Sequence, residues 1–345
     1  MPSLLQQDLQ HVLDHTRELW EELRGKRIFV TGGTGFFGCW LLETFVFANE
    51  QLGLGAQLVS LTRNPEAFQR KAPHLAAHPS INLWKGDVRD FDFPRGGFSH
   101  VIHAATTSGA AVPPAEMLDT IIAGTRRALD FAADCGAKKF LLTSSGAVYG
   151  KQPPDLAQIP ETYSGAPNPT DPNSAYGEGK RVAELLCAIY HREHGIESKI
   201  ARCFAFLGPH LPLDAHFAAG NFIRDALAGD PIRIGGDGTP LRSYLYAADL
   251  AIWLWTILFR GVACRPYNVG SGHAVSIIEL AQAVANCMSP GVDISLGAKA
   301  IPGIPPARYI CDNQRAQELL LKEWILLPEQ IEKTLLWHRK QSLAY

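Results

Sequence analysis

The sequence lacks most features that would give its function away by composition. Its seven cysteines include no Cys-x-x-Cys pair and are odd in number, which argues against a disulfide framework or a zinc ribbon and for a reducing, cytoplasmic setting. No sign of charge dominates: 32 basic residues face 34 acidic ones, a net charge of −2, so nothing calls for nucleic acid or an anionic membrane as partner. The first residues, Met1-Pro2-Ser3-Leu4-Leu5-Gln6-Gln7-Asp8, lack the basic start and apolar middle of a signal peptide. The most membrane-like run, Leu250 to Phe259, is closed by Asp249 and Arg260; it is too short for a bilayer and reads as a buried helix. No two histidines share ligand spacing with a carboxylate, so no metal is expected. Internal repeats and low-complexity segments are absent.

What the chain has is a glycine-rich turn, Thr31-Gly32-Gly33-Thr34-Gly35-Phe36-Phe37-Gly38. It follows the apolar run Ile28-Phe29-Val30 and leads into Cys39-Trp40-Leu41-Leu42, an apolar helical pattern. A strand, a tight turn and a helix N-terminus in that order suit a dinucleotide: the backbone turns sharply, approaches a pyrophosphate and packs the helix back on the strand, each step favouring a residue without Cβ. The helix start offers free N–H groups and a partial positive charge. Further short apolar runs at 58–61, 81–84, 101–105, 140–143 and 199–202 alternate with helical segments near 36–49, 116–135 and 174–194. This pattern predicts an α/β fold, a doubly wound Rossmann parallel sheet with a smaller, mostly C-terminal substrate-binding lobe. With 345 residues the boundaries expected are a helical extension over 1–25, a nucleotide-binding domain over 26–202 plus about 247–270, and a lobe drawn mainly from 203–345. The extension, helical over 3–24, is expected to pack on the body or on a partner subunit.

The second strand ends Leu61-Thr62-Arg63-Asn64. A carboxylate at this point would bond the ribose hydroxyls of NAD, and none is there; Arg63 instead presents a planar fork suited to the 2′-phosphate of NADP. NADP(H) is therefore expected, with NAD(H) the alternative. Asp87, in Gly86-Asp87-Val88, is placed to meet the adenine amino group. Tyr176 and Lys180 stand four residues apart on one helix face. A tyrosine ionises near pH 10 unaided, and an adjacent ammonium would make it a usable base; Lys180 can also hold the nicotinamide ribose. Upstream, Thr143-Ser144-Ser145-Gly146-Ala147 ends a strand with hydroxyls that can share the reacting hydrogen bond.

Taken with Gly86-Asp87-Val88-Arg89-Asp90, His103-Ala104-Ala105, Gly124-Thr125, Ser144 to Gly150, Gly236-Asp237-Gly238 with Arg242, and Asn268-Val269-Gly270-Ser271, these motifs identify a resemblance. Over about residues 26–335 the chain resembles the extended short-chain dehydrogenase/reductases of the NAD(P)-dependent nucleotide-sugar epimerase/dehydratase family. The resemblance implies catalytic roles for Ser145, Tyr176 and Lys180. It assigns Gly32, Thr34, Gly35, Phe36, Phe37, Gly38, Arg63, Asp87, Val88, Ala104, Ala105 and Thr106 to the cofactor, together with Tyr176 and Lys180. It assigns Thr107, Ser145, Asn221, Arg242 and Arg308 to the substrate, Arg242 gripping the diphosphate and Asn221 and Arg308 assisting. It also implies a homodimer formed through the helices near 116–135 and 174–194. His103 is expected to pack beside the cofactor, and Cys203 to be a buried apolar thiol.

The departures from the family narrow the chemistry. Its 4,6-dehydratases carry Asp-Glu after the catalytic Ser/Thr, and its C3/C5 epimerases a Cys; here Gly146 and Ala147 stand there, which can do neither acid–base task. What remains is a redox step at one carbon of a nucleotide-diphosphate sugar, most naturally C4. Reduction of a 4-keto sugar by NADPH is the expected activity, 4-epimerisation with retained NAD(P) the alternative, with 4,6-dehydration or non-catalytic nucleotide sensing behind them. Ala205, where relatives carry a polar residue, leaves the sugar open.

Overall fold

The computed structural model describes residues 4–106, 112–215, 217–288 and 290–342. The chain opens with α1 (Leu4–Thr16) and a short 3-10 segment before β1 (Arg27–Thr31). Then come α2 (Phe36–Leu52), β2 (Gln57–Thr62), α3 (Pro65–Lys71), α4 (Pro73–Ala76), β3 (Ile81–Lys85) and β4 (His100–His103). The pattern continues through α5 (Pro114–Asp134), β5 (Lys139–Ser145), α6 (Ala175–His194) and β6 (Glu197–Cys203). The remainder is finer-grained: β7 (Phe206–Leu207), α7 (Ala218–Ala228), β8 (Ile232–Ile234), β9 (Leu241–Arg242), β10 (Leu245–Tyr246), α8 (Ala247–Arg260), β11 (Pro266–Val269), β12 (Val275–Ser276), α9 (Ile277–Asn286), β13 (Ile294–Leu296), β14 (Arg308–Tyr309), α10 (Gln314–Glu318) and α11 (Leu327–Ser342).

Seven strands form one sheet in the order β11-β6-β5-β4-β1-β2-β3, and each neighbouring pair is parallel. Such a sheet is buried on both faces, which is why its strands read as apolar runs rather than alternations. One face is covered by α2, α8 and α1, through Trp40, Phe45, Trp253, Trp255 and Val12; the other by α5 and α6, through Ile121, Phe131, Ala183 and Leu186. The run Leu250 to Phe259 lies within α8 and is buried throughout. Among the described residues, no helix is long and apolar enough to cross a membrane. A third core joins α7, α9 and α11 around Phe222, Ile223, Leu280 and Ile331.

From β1 the chain builds outward through β2 and β3, then returns to place β4 on the other side of β1. The strand order reverses there, and the crevice beyond the carboxyl ends of β1 and β4 is where open α/β sheets take ligands. Beyond that end, β9 pairs with β12 and β14 in a small separate sheet. That sheet carries Arg242 and Arg308.

Candidate active site

The turn between β1 and α2 is built as the glycines suggest, each for its own reason. Gly32 has φ +73°, and a Cβ on it would lie 2.5 Å from the backbone of Ala104 and Ala105. A Cβ on Gly38 would lie 2.2 Å from the Gly32 carbonyl oxygen. Gly35 differs: its nearest neighbour would be 3.4 Å away, and its outward side is exposed. Gly35 is also the N-cap of α2, with no side chain capping the helix and no acidic residue in its first turn. The N–H groups of Phe36 and Phe37 are thus left for an anionic ligand. Thr106 adds a buried hydroxyl with no hydrogen-bond partner among the described residues. These features fit a dinucleotide pyrophosphate.

β4 closes the other wall. His103 Nδ1 lies 2.7 Å from Thr31 Oγ1 and its Nε2 3.2 Å from Thr125 Oγ1, while the Ala105 N–H donates to Thr31 Oγ1. Burial, with the charge of Lys180 behind it, brings the imidazole down to about 3. His103 is a neutral strut between β1, β4 and α5 rather than a proton carrier.

At the adenosine end Arg63 is exposed, and Asn64 turns its side chain to cap α3 at Ala67 N. Asp87 is gripped by Arg89 at 2.8 Å; that bond, with Arg63 contributing at longer range, holds its carboxyl below the usual range. Val88 is core, packed against Gly124. Lys71, which the sequence reading passed over, reaches from α3 to donate to the Thr34 carbonyl at 2.8 Å. It brings a cation to the glycine turn. A basic residue on the helix after an acid-free second strand was the only signal for it.

The catalytic candidates converge. Ser145 ends β5, accepting from the Ala147 N–H at 3.1 Å, and Tyr176 lies within side-chain hydrogen-bonding reach of it. One turn along α6, Lys180 is buried and donates to the Thr143 carbonyl at 2.8 Å. Its Nζ stands 5.8 Å from the centre of the Tyr176 ring. Here the electrostatics differ from the simple expectation. Burial pushes the Tyr176 phenol up, with Ser145 opposing, and lowers Lys180 to about 8. The side chain that opposes this rise is Ser145, not Lys180. Cys203 faces the pair from β6, but burial pushes its thiol to about 12, as a buried structural cysteine requires.

The substrate candidates are only partly brought together. Arg242 lies opposite Tyr309 in the register of β9 and β14, its guanidinium carbon 5.9 Å from that ring. Arg308 is paired instead with Leu241, and because successive strand residues face opposite sides, it is Tyr309 that shares the face of Arg242. Asn221 lies on α7 with its side-chain oxygen taken by Arg224. Thr107 lies outside the described residues. Tyr309 and Phe204 were missed by the sequence reading. They fill the space beside Gly146, where an added Cβ would meet the Tyr309 hydroxyl and Phe204 Cζ at 2.7 Å each. Among the described residues, no cluster of three His, Cys, Asp or Glu is placed to hold a metal ion.

With this geometry in place, comparison with known proteins becomes informative. Residues 28–270 match the NAD dependent epimerase/dehydratase family. The chain belongs to that family. Its relatives include UDP-glucuronic acid decarboxylase 3 of Arabidopsis thaliana, 32% identical over 85% of this chain and 83% of that one, and UDP-glucuronic acid decarboxylase 1 of Xenopus tropicalis, 30% identical over 92% and 73%. Among solved structures, UDP-glucose 4-epimerase from Thermotoga maritima superposes with a TM-score of 0.76 at 23% identity, covering 92% of this chain and 99% of its own. UDP-glucuronic acid 4-epimerase from Bacillus cereus gives 0.77 at 21%, covering 91% and 99%. Both share the fold. The family is one of nucleotide-sugar-modifying enzymes, so the decarboxylases join the reactions to be weighed.

Proposed function

We propose that this chain transforms a nucleotide-diphosphate sugar by hydride exchange at one sugar carbon, C4, with NADP(H) carried on the turn from Gly32 to Gly38. The observation behind this is what stands beside Ser145. Elimination of water, or inversion at C3 and C5, needs a group that takes a carbon-bound proton. Here Gly146 and Ala147 offer none, the space is filled by Tyr309 and Phe204, and the nearby thiol of Cys203 sits at about 12. When bound, the nicotinamide supplies or accepts the hydride. Tyr176, beside Ser145, gives or takes the proton on the C4 oxygen. Lys180 holds a cation behind them, and Arg242, with Asn221, Arg308 and Thr107 as further candidates, grips the diphosphate.

The net reaction we favour is reduction of a 4-keto sugar by NADPH, because Arg63 and Lys71 flank the nucleotide end and no carboxylate closes β2. The relatives favour a second reading with the same groups. Oxidising C4 of a glucuronic acid, with the hydride passing to the nicotinamide, places a ketone β to the carboxylate; carbon dioxide leaves, C5 of the resulting enolate takes a proton from water, and the hydride then returns to C4; 4-epimerisation is the same oxidation with return to the opposite face. We also infer a cytoplasmic homodimer through α5 and α6, where Leu185 is 60% exposed; sedimentation of the purified protein measures it.

The deciding experiment identifies any nicotinamide that co-purifies, then offers UDP-glucose, UDP-glucuronic acid and a nucleotide 4-keto-6-deoxyhexose with NADPH. Stoichiometric NADPH consumption marks the reductase. Carbon dioxide release or an epimer without net consumption marks the second reading. Tyr176→Phe should lower whichever turnover is found by about 10²–10⁴-fold; a variant as active as the wild type would remove the proposed proton path.

A further inference from the structure

Phe204 and Tyr309 have no part in the proton path proposed above, yet they form the wall beside it. Their ring centroids are 4.6 Å apart. The space that a Cβ on Gly146 would take is met at 2.7 Å by Phe204 Cζ and by the Tyr309 hydroxyl oxygen, and Gly146 directly follows Ser145. At the other end, the guanidinium carbon of Arg242 lies 5.9 Å from the centre of the Tyr309 ring. Tyr309 therefore runs from the residue after Ser145 to the arginine assigned to the diphosphate, the two points between which the proposed function holds the sugar. Phe204 is fixed from behind: its N–H donates to the Val269 carbonyl at 3.0 Å, and a Cβ on Gly270 would lie 3.0 Å from Phe204 Cβ. Both aromatic residues are only half-buried, so ring surface is left for a ligand.

A pyranose has two edges. The C2–C3 edge carries hydroxyls that need partners once buried, while the edge through C5 offers C–H groups, the ring oxygen and the C5 substituent. Two aromatic rings and a single phenol oxygen suit the second edge. They do not suit a carboxylate on C5, because the cations around the wall are engaged among the described residues. Arg202 grips Glu184 with bonds of 2.7 and 2.9 Å, and Lys180 donates to the Thr143 carbonyl at 2.8 Å. Arg242 is committed to the diphosphate in the proposed function. A carboxylate pressed on this wall would lose water without gaining a counter-charge, and would meet the negative faces of the rings. We propose that Phe204 and Tyr309 are specificity-determining residues that receive the C5 edge of the sugar, admitting a methyl or hydroxymethyl group and rejecting a uronic acid. The substrate class is then a neutral nucleotide 4-keto-hexose, with the 6-deoxy form fitting best. The inference deepens the proposed function and rests on its placing of C4 at Tyr176 and of the diphosphate at Arg242.

The test is a binding order and needs no turnover. UDP-6-deoxyglucose, UDP-glucose and UDP-glucuronic acid share the nucleotide and differ only at C6, so base and diphosphate contributions cancel. Each is titrated calorimetrically into the wild type with saturating NADP⁺. The expected order of affinity is as named, UDP-glucuronic acid binding at least about 100-fold more weakly than the 6-deoxy ligand, the scale of a charge buried without a partner. UDP-glucuronic acid that binds as tightly as UDP-6-deoxyglucose overturns the proposal. Tyr309→Lys sets an ammonium on the wall and should bring UDP-glucuronic acid level with the 6-deoxy ligand or ahead of it; an order unchanged from wild type would show that the wall does not face C5. Tyr309→Phe keeps the ring and should keep the order, and loss of the order there would move the discrimination to the hydroxyl and count equally against the rings. The proposed function fails separately: absence of any C4 redox turnover in a protein with the expected order would remove that function and not the wall, whereas carbon dioxide release from UDP-glucuronic acid would remove the wall and leave hydride exchange at C4 standing.

Discussion

At Gly38 a methyl group would sit 2.2 Å from the carbonyl oxygen of Gly32, whereas at Gly35 it would find nothing closer than 3.4 Å. The two glycines of one motif therefore answer to different demands: close helix–strand packing at Gly38 and, in the proposed reading, close approach of a phosphate at Gly35. Gly38→Ala should destabilise the protein by about 1–3 kcal/mol, the usual cost of overpacking, and displace α2 with loss of cofactor binding. Gly35→Ala should unfold at the wild-type denaturant midpoint yet bind NADPH at least about tenfold more weakly. Urea melts and nicotinamide fluorescence read the two effects, and equal stability losses in both variants would contradict the division. The same scale shows what was legible in the sequence. Ser145, Tyr176 and Lys180 could be picked out as candidates because their spacing is local to one strand end and one helix turn. Tyr309 could not, since its place beside Gly146 depends on the pairing of β14 with β9, two-residue strands that leave no periodicity to read. Arg308 drew attention, while its neighbour Tyr309 is the one that lies beside Gly146.

The seam between β1 and β4 is where element and chemistry meet, and His103 holds it. Six of the seven strands of the sheet were readable from short apolar runs, β11 being the exception, because burial on both faces leaves little else for such a strand to be; that one of them holds a buried hydrogen-bonded seam was visible only as a histidine among alanines. In the unfolded chain this imidazole titrates near 6.5, while in the folded protein burial brings it to about 3. Between those values the unfolded chain holds one more proton at this site, so stability falls as the pH falls, by about 1.4 kcal/mol per pH unit, and the site imposes no such dependence above 6.5. Replacing His103 with Gln, which keeps polar atoms for Thr31 and Thr125, should flatten the fall of urea stability between pH 6 and 4 by about that slope. A variant with the wild-type slope would show that acid sensitivity arises elsewhere, His338 being the next candidate with its own value brought to about 4 by burial.

Across the whole molecule, the two ends of the described chain are fastened to each other. The sequence showed that an amphipathic helix precedes β1 but left open whether it packs on the body or on a partner; pattern alone cannot say what covers an apolar stripe. The structure seats α1 on α8 and α2 through Val12 and Leu13 and places Asp8 fully inside. There Lys333 of α11 reaches Asp8 at 2.6 Å, and the Tyr246 hydroxyl donates to its other oxygen at 2.6 Å. Burial raises the Asp8 carboxyl while both partners pull it back. A second tie runs from His11 to Asp249 at 3.2 Å, and Asp249 also accepts from the N–H groups of Trp324 and Ile325. Such a closed pair adds little relative to an apolar substitute, but breaking one side of it strands the other charge. Asp8→Asn should therefore cost about 2–4 kcal/mol, while Asp8→Asn combined with Lys333→Met should cost less than the sum of the two single changes, as contacting partners do. None of these groups touches the glycine turn, so NADPH affinity at low temperature should match the wild type in all three variants. Thermal melts and a double-mutant cycle measure this directly, and an Asp8→Asn protein that melts with the wild type would leave the closure of α1 on α11 without energetic weight.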